Sequence, residues 1–161
     1  MMDTATFQVT ASGERELVMA REFDAPRSLV FDAWTKPELL KRWLGVRNGW
    51  TLDVCEVDLK VGGDYRFVWR GPDGAEMGMS GVYREIVPPE RLVATEVFDD
   101  AWYPGEAVDT MVMDEQDGKT TLTVTVLYES QEARDAVLQS DMARGAAESY
   151  DKLAELLATD A

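Results

Sequence analysis

Along 120–128, apolar and polar residues alternate strictly. Leu122, Val124, Val126 and Tyr128 share one parity, and Thr121, Thr123 and Thr125 the other. A two-residue period is that of a strand with one buried face. It recurs in 65–69, where Tyr65, Phe67 and Trp69 oppose Arg66 and Val68. Strands are likewise predicted at 52–59, 76–87, 92–98 and 108–115. Turn-forming runs separate them at Val61-Gly62-Gly63-Asp64, Gly71-Pro72-Asp73-Gly74, Pro88-Pro89-Glu90 and Asp117-Gly118. A looser connection over 99–105 carries Trp102 and Tyr103. Extended segments at 7–9 and 16–23 flank a turn at Ala11-Ser12-Gly13. In 16–23, Leu17, Met19 and Arg21 alternate with Glu16, Val18, Ala20 and Glu22, so one face is only partly apolar, as expected near a sheet edge.

At Asp24-Ala25-Pro26 the period changes. Asp24 is placed to cap a helix, with Pro26 tolerated in its first turn, and Val30, Phe31 and Trp34 follow at helical spacing. Thr35-Lys36-Pro37-Glu38 opens a second short helix carrying Leu39, Leu40 and Trp43. Two short helices without a real loop suit a plug at one end of a sheet. The longest helical pattern is the last, 130–158. There Val137, Leu138, Met142, Ala146, Tyr150, Leu153 and Leu157 form one apolar stripe, Ser130 is placed to cap the start, and Ser140-Asp141 marks an internal break. Consecutive strands with short turns predict an antiparallel meander with one covered face, and this helix is the element able to cover it.

Charge and chemistry narrow the function. The chain has 161 residues, 31 acidic against 16 basic, for a formal charge of −15. Such a surface repels phosphate backbones and anionic lipid, so neither nucleic acid nor membrane is an expected partner. One domain over 1–161 is expected from length, and no run approaches the ~18 apolar residues of a membrane span. The first residues carry no basic-then-apolar signal, and Cys55 is the sole cysteine, so a cytoplasmic location is expected. There is no histidine, which removes the commonest general base and metal ligand. No metal cluster is predicted. Gly62-Gly63 and Gly71-Pro72-Asp73-Gly74 lack the lysine and serine or threonine of a phosphate loop, and no cofactor is expected.

Several stretches in order resemble one family. Phe23-Asp24-Ala25-Pro26 leads to Val30-Phe31-Asp32-Ala33-Trp34-Thr35-Lys36-Pro37-Glu38 and Trp43. Asp58-Leu59-Lys60-Val61-Gly62-Gly63 is followed by Gly81-Val82-Tyr83-Arg84-Glu85-Ile86-Val87-Pro88-Pro89-Glu90-Arg91-Leu92. Glu132-Ala133-Arg134-Asp135 closes the set with Met142 and Gly145. Together they resemble proteins similar to the C-terminal domain of the activator of the Hsp90 ATPase, within the START-like superfamily of polyketide cyclases and aromatases. The resemblance implies an α+β helix-grip fold, a curved antiparallel sheet wrapped on a long C-terminal helix with two short helices near the N-terminus. It also implies a cavity between sheet and helix that takes a hydrophobic ligand. In many relatives a tryptophan follows the glycine of the closing helix, whereas here Ala146 follows Gly145.

The inward faces supply the candidate ligand-binding residues. They are Tyr65, Phe67 and Trp69, the methionines Met77, Met79, Met111 and Met113, and Leu138, Met142, Gly145, Ala146, Ser149 and Tyr150. Such a set fills either a pocket or a solid core. Gly145 costs a helix ~1 kcal/mol relative to alanine, which close approach of a strand, a helix or a ligand would offset. Glu96 shares parity with Leu92, Ala94 and Phe98, so it is expected to point inward, as a ligand anchor or general base. The first expectation is non-catalytic binding of a small hydrophobic or aromatic molecule. A cyclase or aromatase-type enzyme, with Glu96, Tyr83 and Tyr128 moving protons, is the alternative. A chaperone-associated interaction module using Trp102, Tyr103 or Trp50 is the third. The oligomeric state is left open.

Overall fold

A computed structural model describes residues 7–100 and 105–160. The chain forms β1 (Gln8–Ser12), β2 (Glu16–Phe23), α1 (Arg27–Thr35), α2 (Pro37–Trp43), β3 (Thr51–Val57), β4 (Asp64–Arg70), β5 (Glu76–Val87), β6 (Arg91–Phe98), β7 (Ala107–Gln116), β8 (Lys119–Leu127), α3 (Gln131–Leu138) and α4 (Met142–Asp160). The strands make one curved antiparallel sheet in the order β1-β2-β8-β7-β6-β5-β4-β3. Register shifts at Leu52/Val54 and Tyr83/Glu85 interrupt the ladders of β3 and β5, where an extra residue bends a strand.

The crossover α1–α2 carries the chain from β2 to β3, from one end of the sheet to the other. β2 therefore pairs with β1 and β8 and lies next to the edge strand β1, near the sheet edge as expected; the other edge is β3. The polar residue on its inner face has a specific partner. Leu17, Met19, Arg21 and Phe23 are all buried, and Arg21 is only 6% exposed. It stacks 5.3 Å from the Phe23 ring centroid and reaches Asp151 of α4 at 2.6 Å. An apparent polar break in the pattern is thus a strand-to-helix tie. The start of α1 also differs from expectation. Pro26 is the N-cap, without a side-chain bond, and Asp24 lies outside the helix. The capping position of the C-terminal region is as expected, since the Ser130 hydroxyl accepts from the Ala133 N–H at 3.0 Å. Gln139–Asp141 interrupts α3 and α4, so the long helix is two segments.

The core lies between the concave sheet face and the helices. Tyr150, Leu153, Leu156 and Leu157 of α4 are buried against it, with Trp43 of α2 and Val30 and Phe31 of α1. Side-chain bonds anchor the periphery. Thr120 donates to the Ala25 carbonyl at 2.7 Å, and buried Arg134 donates to the carbonyls of Gly13 and Glu16. The cover is uneven along α4. Tyr150, Leu153, Leu156 and Leu157 meet the core closely, whereas Met142, Gly145 and Ala146 near its start are only half-buried. That unevenness positions the site. No helix among the described residues is long and apolar enough to cross a membrane.

Candidate functional site

Strand parity brings side chains from six strands to one place. Tyr65, Phe67 and Trp69 of β4, Met79 and Tyr83 of β5, and Glu96 of β6 line an inner chamber of about 200 Å³. Asp109 and Met111 of β7, Val124 and Val126 of β8 and Met19 of β2 complete its sheet side, while Trp34, Leu44 and Tyr150 close the helical side. The aromatic wall is held in place. The Tyr65 hydroxyl donates to the Thr95 carbonyl at 2.6 Å, and the Trp69 indole N–H donates to the Leu44 carbonyl at 2.9 Å. The Tyr65 and Phe67 ring centroids are 4.9 Å apart, and those of Phe67 and Trp69 5.8 Å. Edge and tilted contacts at such distances are favourable ring geometries.

A wider outer chamber of about 500 Å³ lies beside it, between the loop after α2 and the start of α4. Trp34, Leu44, Trp69 and Tyr150 line both chambers and form the neck between them. Met77, Phe98, Met142, Gly145, Ala146 and Ser149 belong to the outer one. Gly45 donates its N–H to the Ser149 hydroxyl at 3.1 Å, and Arg47 pairs with Glu148 at 2.6 Å, so this loop is pinned to α4 on one side of the opening. The close protein neighbour of Gly145 is the loop after α2. A Cβ there would stand 2.8 Å from the Arg47 Nη2.

Two expected lining residues do not reach either chamber. Leu138 is 41% exposed, because α3 turns Val137 into the core and its neighbour out. Met113 is fully buried further along β7, packed in the core. Met77 does line the outer chamber but is 42% exposed, at its rim. Trp102 and Tyr103 lie outside the described residues, and Trp50 is half-buried with its ring over Gly71. Arg66 is paired with Asp99 at 2.6 Å on the outer sheet face, and Arg70 there is paired with Glu76 at 2.9 Å.

Glu96 does face inward, and it has a partner the sequence reading missed. Asp109 is 7% exposed and hydrogen-bonded to Glu96. Burial first, then the charge and hydrogen bond of Glu96, push the Asp109 carboxyl well above the usual carboxylate range. Its Oδ1 makes no hydrogen bond, and neither does the indole Nε1 of Trp34. The signal for Asp109 was its parity with Met111 and Met113. Burial also raises the phenols of Tyr83 and Tyr150, and that of Tyr128, which lines neither chamber. The Cys55 thiol is pushed up to about 11 by burial, the wrong direction for a nucleophile. Among the described residues, no group of three or more Cys, Asp or Glu side chains could hold a metal ion.

The family model for Activator of Hsp90 ATPase homolog 1-like protein matches residues 24–158. A crystal structure of a Rhodobacter sphaeroides protein is similar at 35% identity, with 95% of this chain and 98% of that one covered and a TM-score of 0.89. One from Nitrosomonas europaea is 26% identical over 94% and 99% of the two chains, with a TM-score of 0.81. An HSP90 activator from Plasmodium falciparum shares the fold at 24% identity over 70% and 72%, with a TM-score of 0.54. No curated protein matches the chain in a sequence comparison.

Proposed function

The chain belongs to the Activator of Hsp90 ATPase homolog 1-like family, and from that premise we propose that it binds a small hydrophobic or aromatic molecule, without catalysis, between the sheet and α4. Family and fold support a general ligand-binding or Hsp90-activator-like module. The observation that favours binding is the inner chamber itself, an apolar space ringed by aromatics and methionines, with the outer chamber beside its neck. A solid core would have closed it. Cavities of ~150 Å³ lined by apolar side chains accept benzene, so about 200 Å³ admits one substituted ring. A larger ligand would extend through the neck. The unit acts as a single START-like domain in this reading, and the half-buried lone Cys55 fits a reducing cytoplasm.

Thermal shift with lipids, flavonoids and aromatic polyketide mimics tests the proposal. A ligand at a hundred times its Kd stabilises by ~2.7 kcal/mol, or roughly 5–10 °C for a chain of this size. Failure of every class to raise Tm overturns it. Proton transfer is the second reading, favoured by the proton that Asp109 retains beside Glu96. It predicts that Asp109→Asn and Glu96→Gln abolish a turnover once one is found, and unchanged turnover excludes it.

A further inference from the structure

The inner chamber joins aromatic faces to a buried carboxyl, that of Asp109, and the half-buried one of Glu96. Among the described residues, its lining includes Glu96 and Asp109 and no lysine or arginine. The Asp109 Oδ1 is buried and accepts no hydrogen bond, although a buried carboxyl oxygen left unpaired is costly. The other half of the pair is already used, since Asp109 is hydrogen-bonded to Glu96. Around the two acids stand the rings of Tyr65, Phe67, Trp69, Tyr83 and Tyr150.

We propose that the inner chamber selects a small organic cation, an ammonium group on an aromatic or apolar body, with Asp109 and Glu96 as the specificity-determining residues. This rests on the proposed binding function and names the ligand class it takes. Four considerations converge on the charge. A ligand N–H would meet the unpaired Asp109 oxygen, and charge-assisted hydrogen bonds are about twice as strong as neutral ones. Ring faces attract a cation through their quadrupole, more strongly in a desolvated site. A carboxylate ligand would instead put its charge beside the acid pair at low dielectric, with no lysine or arginine among the described lining residues to meet it. The formal charge of −15 draws cations toward the protein and repels anions. The unbonded Trp34 Nε1–H, in the neck, supplies a second contact to any ligand acceptor.

The test is calorimetric binding of three probes of near-equal shape to the full chain at pH 7, namely 2-phenylethylamine, 2-phenylethanol and 3-phenylpropionate. The amine is expected to bind at least ~10-fold more tightly than the alcohol, about 1.4 kcal/mol, and the carboxylate more weakly than both. Asp109→Asn should cut the amine-to-alcohol ratio below ~3-fold while leaving alcohol affinity within ~2-fold, since it removes the acid able to give up its proton beside an ammonium and keeps shape. Glu96→Gln should reduce the ratio as well, and it covers the case in which the first variant fails to fold. An alcohol that binds as tightly as the amine overturns the selectivity and leaves hydrophobic binding standing. A ratio unchanged in both variants overturns the assignment of the two acids. Absence of binding by all three probes overturns this proposal together with the binding function beneath it.

Discussion

Gly145→Ala places two effects of known size in opposition. A glycine within a helix is worse than alanine by roughly 0.5–1 kcal/mol, because it loses more backbone freedom on folding. Gly145 is helical, its N–H bonded to the Asp141 carbonyl at 3.1 Å, so alanine recovers that amount, toward the low end this near the helix start. Against this, the new Cβ meets the Arg47 Nη2 at 2.8 Å, the far end of a flexible side chain. The guanidinium must shift, loosening its 2.6 Å pair with Glu148. Those side chains are 33% and 42% exposed, and pairs so open to solvent are worth about 0.2–1 kcal/mol. The net runs from ~0.5 kcal/mol destabilising to ~0.8 kcal/mol stabilising, a Tm change between roughly −2 and +3 °C for a chain of this size. Urea denaturation of the single variants and the double variant with Arg47→Ala measures it. Once Arg47→Ala has removed the obstruction, Gly145→Ala should recover its full helix gain, so the cycle is non-additive by the strength of the lost pair. A loss above ~1 kcal/mol in the single variant would refute the reasoning, because it would mean that something less yielding than a guanidinium presses on this position.

Asp109→Asn should change how stability depends on pH. Folded Asp109 keeps its proton above 3.8, the value at which an unfolded aspartate loses it. The folded state then binds more protons than the unfolded one, so this group makes stability fall as pH rises until its own folded titration is complete. Asparagine carries no such proton, and its stability relative to the parent should climb with pH over that window and then level; a difference flat from pH 4 to 9 contradicts the burial of this acid. Ser130→Ala removes the oxygen that caps α3 and should cost ~1 kcal/mol in denaturant midpoint analysis, with Ser130→Asp restoring most of it. Thr120→Val leaves the Ala25 carbonyl without its 2.7 Å donor in a fully buried setting and should cost about 1–3 kcal/mol; an unchanged midpoint would mean that this tie between β8 and the turn before α1 is dispensable.

Strand parity carried most of the site to the reader of the sequence, because side chains on a strand alternate without exception inside a regular ladder. It set Tyr65, Phe67 and Trp69 on one wall and turned Glu96 inward. It also held Asp109, two residues before Met111 on the same strand, but parity says nothing about which neighbour stands across a ladder. The register pairs Ala94 with Asp109, and Glu96 with Ala107, which sets the two acids diagonally opposite each other. Helical spacing was less reliable for Leu138, since α3 ends there and the stripe continues from a new axis in α4. Arg21 marked a strand near the sheet edge, and β2 is next to the edge, but its burial was not legible because the partner that permits it, Asp151, is 130 residues away in the chain. The pinning of Gly45 and Arg47 to α4 was equally invisible, because it depends on how the loop after α2 lies on a helix far along the sequence.

The central claim is that an apolar molecule enters the space between the sheet and α4. Crystals soaked in a benzene-sized aromatic, followed by a difference map, test it most directly. The account predicts ring-shaped density in the inner chamber, in contact with Phe67, Met111 and Val124 and reached past Trp34 and Trp69. A map with no density there, in crystals that bind the same aromatic elsewhere on the surface, would contradict it.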